Sequence, residues 1–406
     1  MKLSAETRGK IYPLFLVNFQ FFLLGFVWNL ANVLVALFQE TFSLNNFQTS
    51  LITSISFFAF FAISYPARLF SDRFKTINAI VIGCMLSALG LAFFIPGAIL
   101  KSYPLFLIGV FVMFAGATFN QVACNPYVRA LGPDKTAASR INFSQGLGGV
   151  GAFLTSYIAG GFILKLFKDD PFQGIIWFYL ILTVMYAGLG LLIRLAKMPV
   201  NPNDTLLDKP ADETVTDQKK SAWNFRHFRT GFIVLLLYMG AEAILYQLMT
   251  PYFMDEAPIE KARAVDISGL LFLGLMIGRL GGAGMLLKVN PGRLIGWFGA
   301  LAGLLVIISM ATHGYVAIYS ITLTGFFISI MFATIFSLAV DRLGRFTNEA
   351  SSYLVMAISG GFFIPLIYGL AADYLSLKTS LIIVLIPLLL ASWYGFFGAR
   401  QAKSVK

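Results

Sequence analysis

Apolar residues fall in runs of about twenty along the whole chain with polar residues gathered between them, a pattern that predicts a series of membrane-spanning helices. Twelve runs can be placed, at 12–37, 48–67, 77–99, 104–128, 141–164, 174–193, 230–254, 265–287, 294–312, 315–340, 351–372 and 379–398. Their length and the lack of strict alternation within them point to helices and not to barrel strands, because a helix satisfies its own backbone in lipid. The first run is too long for the core of a secretory signal and has no small-residue cleavage site, so it is expected to remain as a span.

The punctuation between runs repeats. Leu131-Gly132, Ala138-Ser139 and Gly148-Gly149 recur 212 residues later as Leu343-Gly344, Ala350-Ser351 and Gly360-Gly361. The chain therefore reads as one module written twice, the plan of carriers in which two halves rock about a central site. The expected architecture is an all-α membrane protein with a six-helix bundle at 1–194, a cytoplasmic linker at 195–229 and a second six-helix bundle at 230–406. The linker is marked by Pro199, Pro202, Pro210 and a polar run from Asp212 to Ser221.

Composition agrees. Hydrophobic residues make up 58% and charged residues 12%, with 41 Phe, against about a quarter charged for a soluble chain. With both termini inside, 24 of the 30 Lys and Arg fall on the cytoplasmic side and 6 on the other, the asymmetry that sets orientation. The net charge of +11 is thereby accounted for without nucleic acid, since the cations are spread over short segments and not gathered on one face. Cys84 and Cys124 sit in apolar runs and read as structural thiols; His227 and His313 read as surface or interfacial. No phosphate-binding loop, dinucleotide fingerprint or nucleophile elbow is present, so neither an enzyme nor an ATP-driven pump is indicated, and no cofactor or metal is expected.

The chemistry must then lie in polar residues within the runs, where each is costly unless it meets a partner or water. The first run carries Asn18, Gln20, Asn29 and Asn32; the fourth carries Asn120, Gln121 and Asn125; the fifth carries Asn142 and Gln145. Asn29 with Asn32, Gln121 with Asn125, and Asn142 with Gln145 are three or four apart and share faces. Neutral amides both donate and accept, which suits a neutral, hydroxyl-rich ligand such as a sugar. Trp28 and Tyr246 could supply the aromatic plane for its apolar ring face. Amides also tie helices together in bundles, the competing role for each. Glu242 is the one acidic residue well inside a run. Ionised and alone it would cost on the order of 3 kcal/mol, so it is either protonated or paired with a cation, and such a group can couple ion movement to a conformational change.

Arg68-Leu69-Phe70-Ser71-Asp72-Arg73, with Lys75, is expected in the loop after the second helix and resembles the gating motif of the major facilitator superfamily, although its glycines are missing. Gly278-Arg279-Leu280-Gly281-Gly282 is expected to end the eighth helix at the matching place in the second half, with Arg279 on the cytoplasmic side. Within that superfamily the chain resembles the fucose–proton symporter family, which also holds glucose, galactose and N-acetylglucosamine carriers. The residues that carry this are Asn125-Pro126-Tyr127-Val128 with Leu131-Gly132-Pro133, Arg140-Ile141-Asn142-Phe143-Ser144-Gln145, Thr334-Ile335-Phe336-Ser337-Leu338-Ala339, and a block from Ser351-Ser352 through Gly360-Gly361 to Pro365, Gly369 and Asp373.

The resemblance implies twelve helices in two pseudo-symmetric bundles, with a sugar bound between them. This chain departs at two places. Family symporters look like Asn-Asn-Leu-Asn-Asp in the first helix and Glu-Thr-Ala-Ala-Asn-Pro in the fourth. Here Asn32 and Gln121 stand where the carboxylates would be, so shape is kept and titration lost. Coupling through Glu242 is the expected substitute, with Na⁺ or H⁺ as the ion. The reading is thus a plasma-membrane monosaccharide carrier, a monomer in lipid that needs no cofactor. Asn29, Asn32, Gln121, Asn125, Asn142, Gln145, Trp28 and Tyr246 are expected at the sugar, Glu242 at the ion, and Arg68, Asp72, Arg73 and Arg279 at the gate. A uniporter is the alternative. A proton-coupled exporter of drug-like compounds fits less well, because Gly146-Leu147-Gly148-Gly149-Val150-Gly151 lacks the prolines such exporters carry there.

Overall fold

The computed structural model describes residues 12–28, 42, 46–159, 167, 170–196, 198–201, 204, 221–247 and 249–399, and among them twelve helical spans can be followed. In chain order these are α1 (Tyr12–Trp28), α2 (Asn46–Phe74), α3 (Thr76–Ile99), α4 (Tyr103–Ala130), α5 (Ala137–Ala159), α6 (Pro171–Leu195), α7 (Arg226–Gln247), α8 (Lys261–Met285), α9 (Pro291–Ala311), α10 (Gly314–Ala339), α11 (Gly344–Tyr374) and α12 (Leu377–Gly398). A short helix, Met249–Glu256, follows α7. Ten spans are long and apolar enough to cross a membrane; of the other two, α1 is described over a shorter length and α5 is diluted by Ser, Gly and Asn. The chain is an all-α membrane protein.

Several helix starts are written locally. Asp170 accepts hydrogen bonds from Phe172 N (3.1 Å) and Gln173 N (3.4 Å), with Pro171 in the first turn of α6; Asn290 and Pro291 open α9 in the same way. Each side chain meets an amide that the helix cannot satisfy itself, and the proline gives up an N–H that would have been orphaned.

Contacts divide the chain into two units, Met1–Pro133 with Leu147–Glu213, and Asp134–Gly146 with Thr214–Lys406. The opening of α5 thus groups with the second unit. There Ser139 Oγ donates to Ala283 O of α8 (2.7 Å). The duplicated glycines do the same job in each unit. In the first, a Cβ on Gly25 of α1 would lie 1.8 Å from Gly148 O of α5; in the second, a Cβ on Gly360 of α11 would lie 1.9 Å from Leu236 O of α7. Backbone meets backbone at both, a packing that lipid-embedded helices favour.

Three expectations are corrected. Arg68, Asp72 and Arg73 lie on α2, not in a loop, because the helix runs on past its apolar stretch and the Arg68–Asp72 pair (3.2 Å, i to i+4) supports its last turns. Arg279 is not at a helix end on the cytoplasmic side but inside α8, turned toward Glu242. His227 is buried in the first turn of α7, with Nε2 3.0 Å from Asp341 O, and is not a surface group.

Both ends of the segment joining α6 to α7 are fastened by buried carboxylates. Asp204 accepts from Thr76 N (3.0 Å) and Thr76 Oγ1 (2.7 Å), and so caps α3 from 128 residues away; Asn201 Nδ2 donates to the same hydroxyl (3.0 Å). Glu349 of α11 accepts from Ser221 Oγ (2.6 Å) and Ala222 N (3.1 Å) ahead of α7. Burial holds the Asp204 carboxyl above the usual carboxylate range, with nearby Asp72 adding, against the two Thr76 bonds and Lys75 pulling down. A carboxyl raised on folding contributes most below its unfolded pKa and loses that contribution as pH rises through the folded value. The cap is therefore expected to tighten on acidification. Asp204→Ala should speed exchange of the Thr76 amide about fivefold, the value of a cap of about 1 kcal/mol, measured by hydrogen exchange with mass spectrometry; Asp204→Asn should keep most of the protection and lose its pH dependence.

Candidate functional site

In the first unit the amides point into protein, not outward. Asn18, Gln20, Asn120, Gln121 and Asn125 are all buried. On α4, Asn125 Nδ2 donates to Gln121 O (2.9 Å) and Gln121 Oε1 (2.7 Å). The four-residue spacing that put them on one face brings them into contact, and Asn125 fixes the turn of the Gln121 amide. Asn120, one position earlier, points the other way. A Cβ on Gly83 of α3 would lie 2.5 Å from its Oδ1, and Cys84 Sγ is 4.0 Å from that oxygen, so Asn120 ties α4 to α3. Trp28 lies among Phe57 and Phe60 of α2 and Phe114 of α4, with ring centroids 6.1, 5.4 and 5.3 Å away. Asn29 and Asn32 lie outside the described residues.

On the opening of α5, Asn142 Nδ2 donates to Ala138 O and to Thr334 Oγ1 of α10, both at 2.9 Å, and its Oδ1 is buried without a partner among the described residues. Asn142 thus serves as a helix tie, the competing role that amides carry. Gln145, 9% exposed, follows one turn on. A Cβ on Gly146 would come within 2.9 Å of Leu280 Cδ2, beside Arg279.

The charged centre of the second unit is Glu242. It is 3% exposed and accepts from Tyr246 Oη, one turn further along α7, and from Arg279 Nη2 of α8 at 3.3 Å. Of the two states open to a membrane carboxylate, paired or protonated, this is the paired one. The Tyr246 ring lies 5.2 Å from that of Phe272, so its hydroxyl and one side of its ring are already occupied. Among the described residues, no group of His, Cys, Asp and Glu could hold a metal ion. Cys84 and Cys124 are buried thiols without a disulfide.

A family model described as Major Facilitator Superfamily matches residues 17–365. The glucose/galactose transporter of Brucella abortus is 32% identical over 405 residues, covering 98% of this chain and 97% of that protein. The L-fucose–proton symporter of Escherichia coli is 30% identical over 391 residues, covering 91% and 89%. The chain belongs to the major facilitator superfamily, in the branch of the fucose–proton symporters. A crystal structure of the Escherichia coli fucose:proton symporter superposes with a TM-score of 0.87 at 26% identity, covering 97% of this chain and all of that one. Arg68 and Asp72 are paired on α2, and Arg279 of α8 pairs with Glu242.

Sequence reasoning missed the two distant caps, Asp204 on Thr76 and Glu349 on Ser221, because their partners are far away in the chain. It also missed a cluster at the far end of the second unit, where Lys378 Nζ bonds Glu256 (3.0 Å) and Thr312 O and lies 3.1 Å from His313 Nδ1. A signal for the α8–α10 contact was present: Gly274, Gly278 and Gly282 recur at a spacing of four, the small-residue stripe of packed membrane helices.

Proposed function

We propose that this chain is a secondary active importer of a monosaccharide, working by alternating access in a bacterial inner membrane with a proton as the coupling ion. The observation that carries the reading is the division of labour between the units. Buried neutral amides, led by Gln121 and Asn125, stand on α4 of one. The deeply buried, ion-paired Glu242 stands in the other. Amides suit hydroxyls, and a carboxylate that trades its arginine for a proton suits coupling. Two relatives are named for sugars, and the one named with an ion is named for the proton, which favours H⁺ over the Na⁺ that the sequence left open. Arg68, Asp72 and Arg73 would govern closure at the cytoplasmic ends, and Asn29, Asn32, Gln145, Trp28 and Tyr246 would complete the sugar site.

The test is uptake into proteoliposomes across a panel of hexoses, deoxyhexoses and N-acetylhexosamines, with a pH gradient and a Na⁺ gradient imposed separately. Saturable uptake of at least one sugar, accelerated by an inside-alkaline gradient, is expected. No saturable uptake of any sugar overturns the reading. Uptake indifferent to both gradients favours the uniporter, for which the amides at Asn32 and Gln121 are the supporting observation. Within the proposed mechanism, Gln121→Ala should raise the KM for the sugar about tenfold, the loss of roughly 1.4 kcal/mol expected when a bound hydroxyl loses its partner. Asn125→Ala should do nearly as much by releasing Gln121.

A further inference from the structure

One side chain joins the Glu242 pair to a broken helix. α10 runs from Gly314 to Ile328, turns at Ser329 and Ile330, and resumes as Met331–Ala339. A helix that stops at membrane depth leaves terminal carbonyls needing partners. Side chains supply two of them: Tyr238 Oη of α7 donates to Ile328 O (2.9 Å), and Arg279 Nε of α8 donates to Ser329 O (3.1 Å). Nη2 of the same guanidinium reaches Glu242 Oε1 at 3.3 Å.

The approach of α8 to this turn depends on Gly278, where a Cβ would lie 2.3 Å from Ser329 Oγ and 2.6 Å from Phe326 O. Among the described residues, the titratable and charged groups facing Glu242 are Tyr238 and Tyr246 from its own helix and Arg279 from α8. α10 presents the carbonyls just named, and α11 presents Ile364 against Gly240.

We propose that Arg279 is a positioning residue that transmits the charge state of Glu242 to the α10 turn, which acts as a hinge in the transport cycle. The inference rests on the reading of Glu242 as the proton-linked group. While Glu242 is ionised, its carboxylate holds the guanidinium so that Nε meets Ser329 O, and the turn is clamped. When a proton adds to a Glu242 oxygen, the new O–H removes the charge that oriented the arginine. The guanidinium, whose side chain is 20% exposed, then swings toward water and lets go of Ser329 O. The forked geometry of arginine is what allows one cation to serve both acceptors at once; lysine, a single point charge, could keep the ion pair but not the second bond.

Hydrogen exchange of the full chain in lipid nanodiscs tests this, followed on peptides covering 326–334 at two pH values and corrected for intrinsic rates. Acidification should speed exchange of the wild-type turn about fivefold. Glu242→Gln should be fast at both pH values. Arg279→Lys should lose the pH step, whereas Tyr238→Phe, which removes the partner of Ile328 O and a hydrogen bond to Glu242 but leaves Arg279 in place, should raise exchange at both pH values and keep the step. Should a single variant not fold, the neutral pair Glu242→Gln/Arg279→Gln replaces it and is expected to show no step. A pH step that persists in Arg279→Lys, or a turn that never responds to pH, overturns the inference. If Glu242→Gln makes sugar uptake independent of the proton gradient while the turn stays silent, the transmission role falls and the coupling role of Glu242 stands. If uptake keeps its proton dependence in Glu242→Gln, both fall.

Discussion

Arg279→Ala should cost the folded protein on the order of 3–5 kcal/mol, whereas Glu242→Gln/Arg279→Gln should recover most of that loss. The asymmetry follows from burial. Glu242 is 3% exposed, and without the guanidinium its charge would be left to the hydroxyls of Tyr246 and Tyr238. Ser329 O would lose its partner at the α10 turn in the same step. Neutralising both members removes the stranded charge and leaves amides that can hydrogen-bond to each other and to the turn. Thermal unfolding of the three proteins in one detergent, followed by the fraction remaining monodisperse, measures this. A double variant no more stable than Arg279→Ala would show that the pair matters for its shape and not for its charge.

Gly25→Ala and Gly360→Ala should each destabilise the protein by about 3 kcal/mol or more. The added methyl would lie 1.8 Å from Gly148 O in one case and 1.9 Å from Leu236 O in the other. Backbone cannot swing aside as a flexible side chain can, so α1 must part from α5, or α7 from α11. Gly188→Ala and Gly281→Ala are the controls, because a Cβ at either meets nothing within 4 Å. There alanine should be neutral or stabilising by up to about 1 kcal/mol, its advantage over glycine in a helix. Folded yield and thermal stability of the four variants check the prediction. Equal tolerance at all four sites would mean that the helices are not so closely apposed.

The spans and the amide pairing were legible because both depend on local rules. The 20-residue apolar runs locate the twelve spans among the described residues, most ends to within a few positions; the polar last turns of α2 and the polar opening of α11 stay helical outside the apolar stretch, and Met249–Glu256, a separate helix, lies largely within the run assigned to α7. The spacing of Gln121 and Asn125 foretold their contact. What spacing could not give was direction. Asn120, Asn125 and Asn142 look alike in sequence, yet one ties α4 to α3, one holds Gln121, and one reaches Thr334.

By itself, the sequence determined the membrane class, the number of helices, the duplication and the single acidic residue at membrane depth. Each of these follows from the cost of exposing polar groups to hydrocarbon, a property of residues taken in order. Tertiary structure alone decided that Arg279 neutralises Glu242 and at the same time holds the α10 turn, and that Asp204 caps α3 across 128 residues. Those partners are remote in sequence, and a charge or carbonyl selects among them by distance and direction only once the helices have packed.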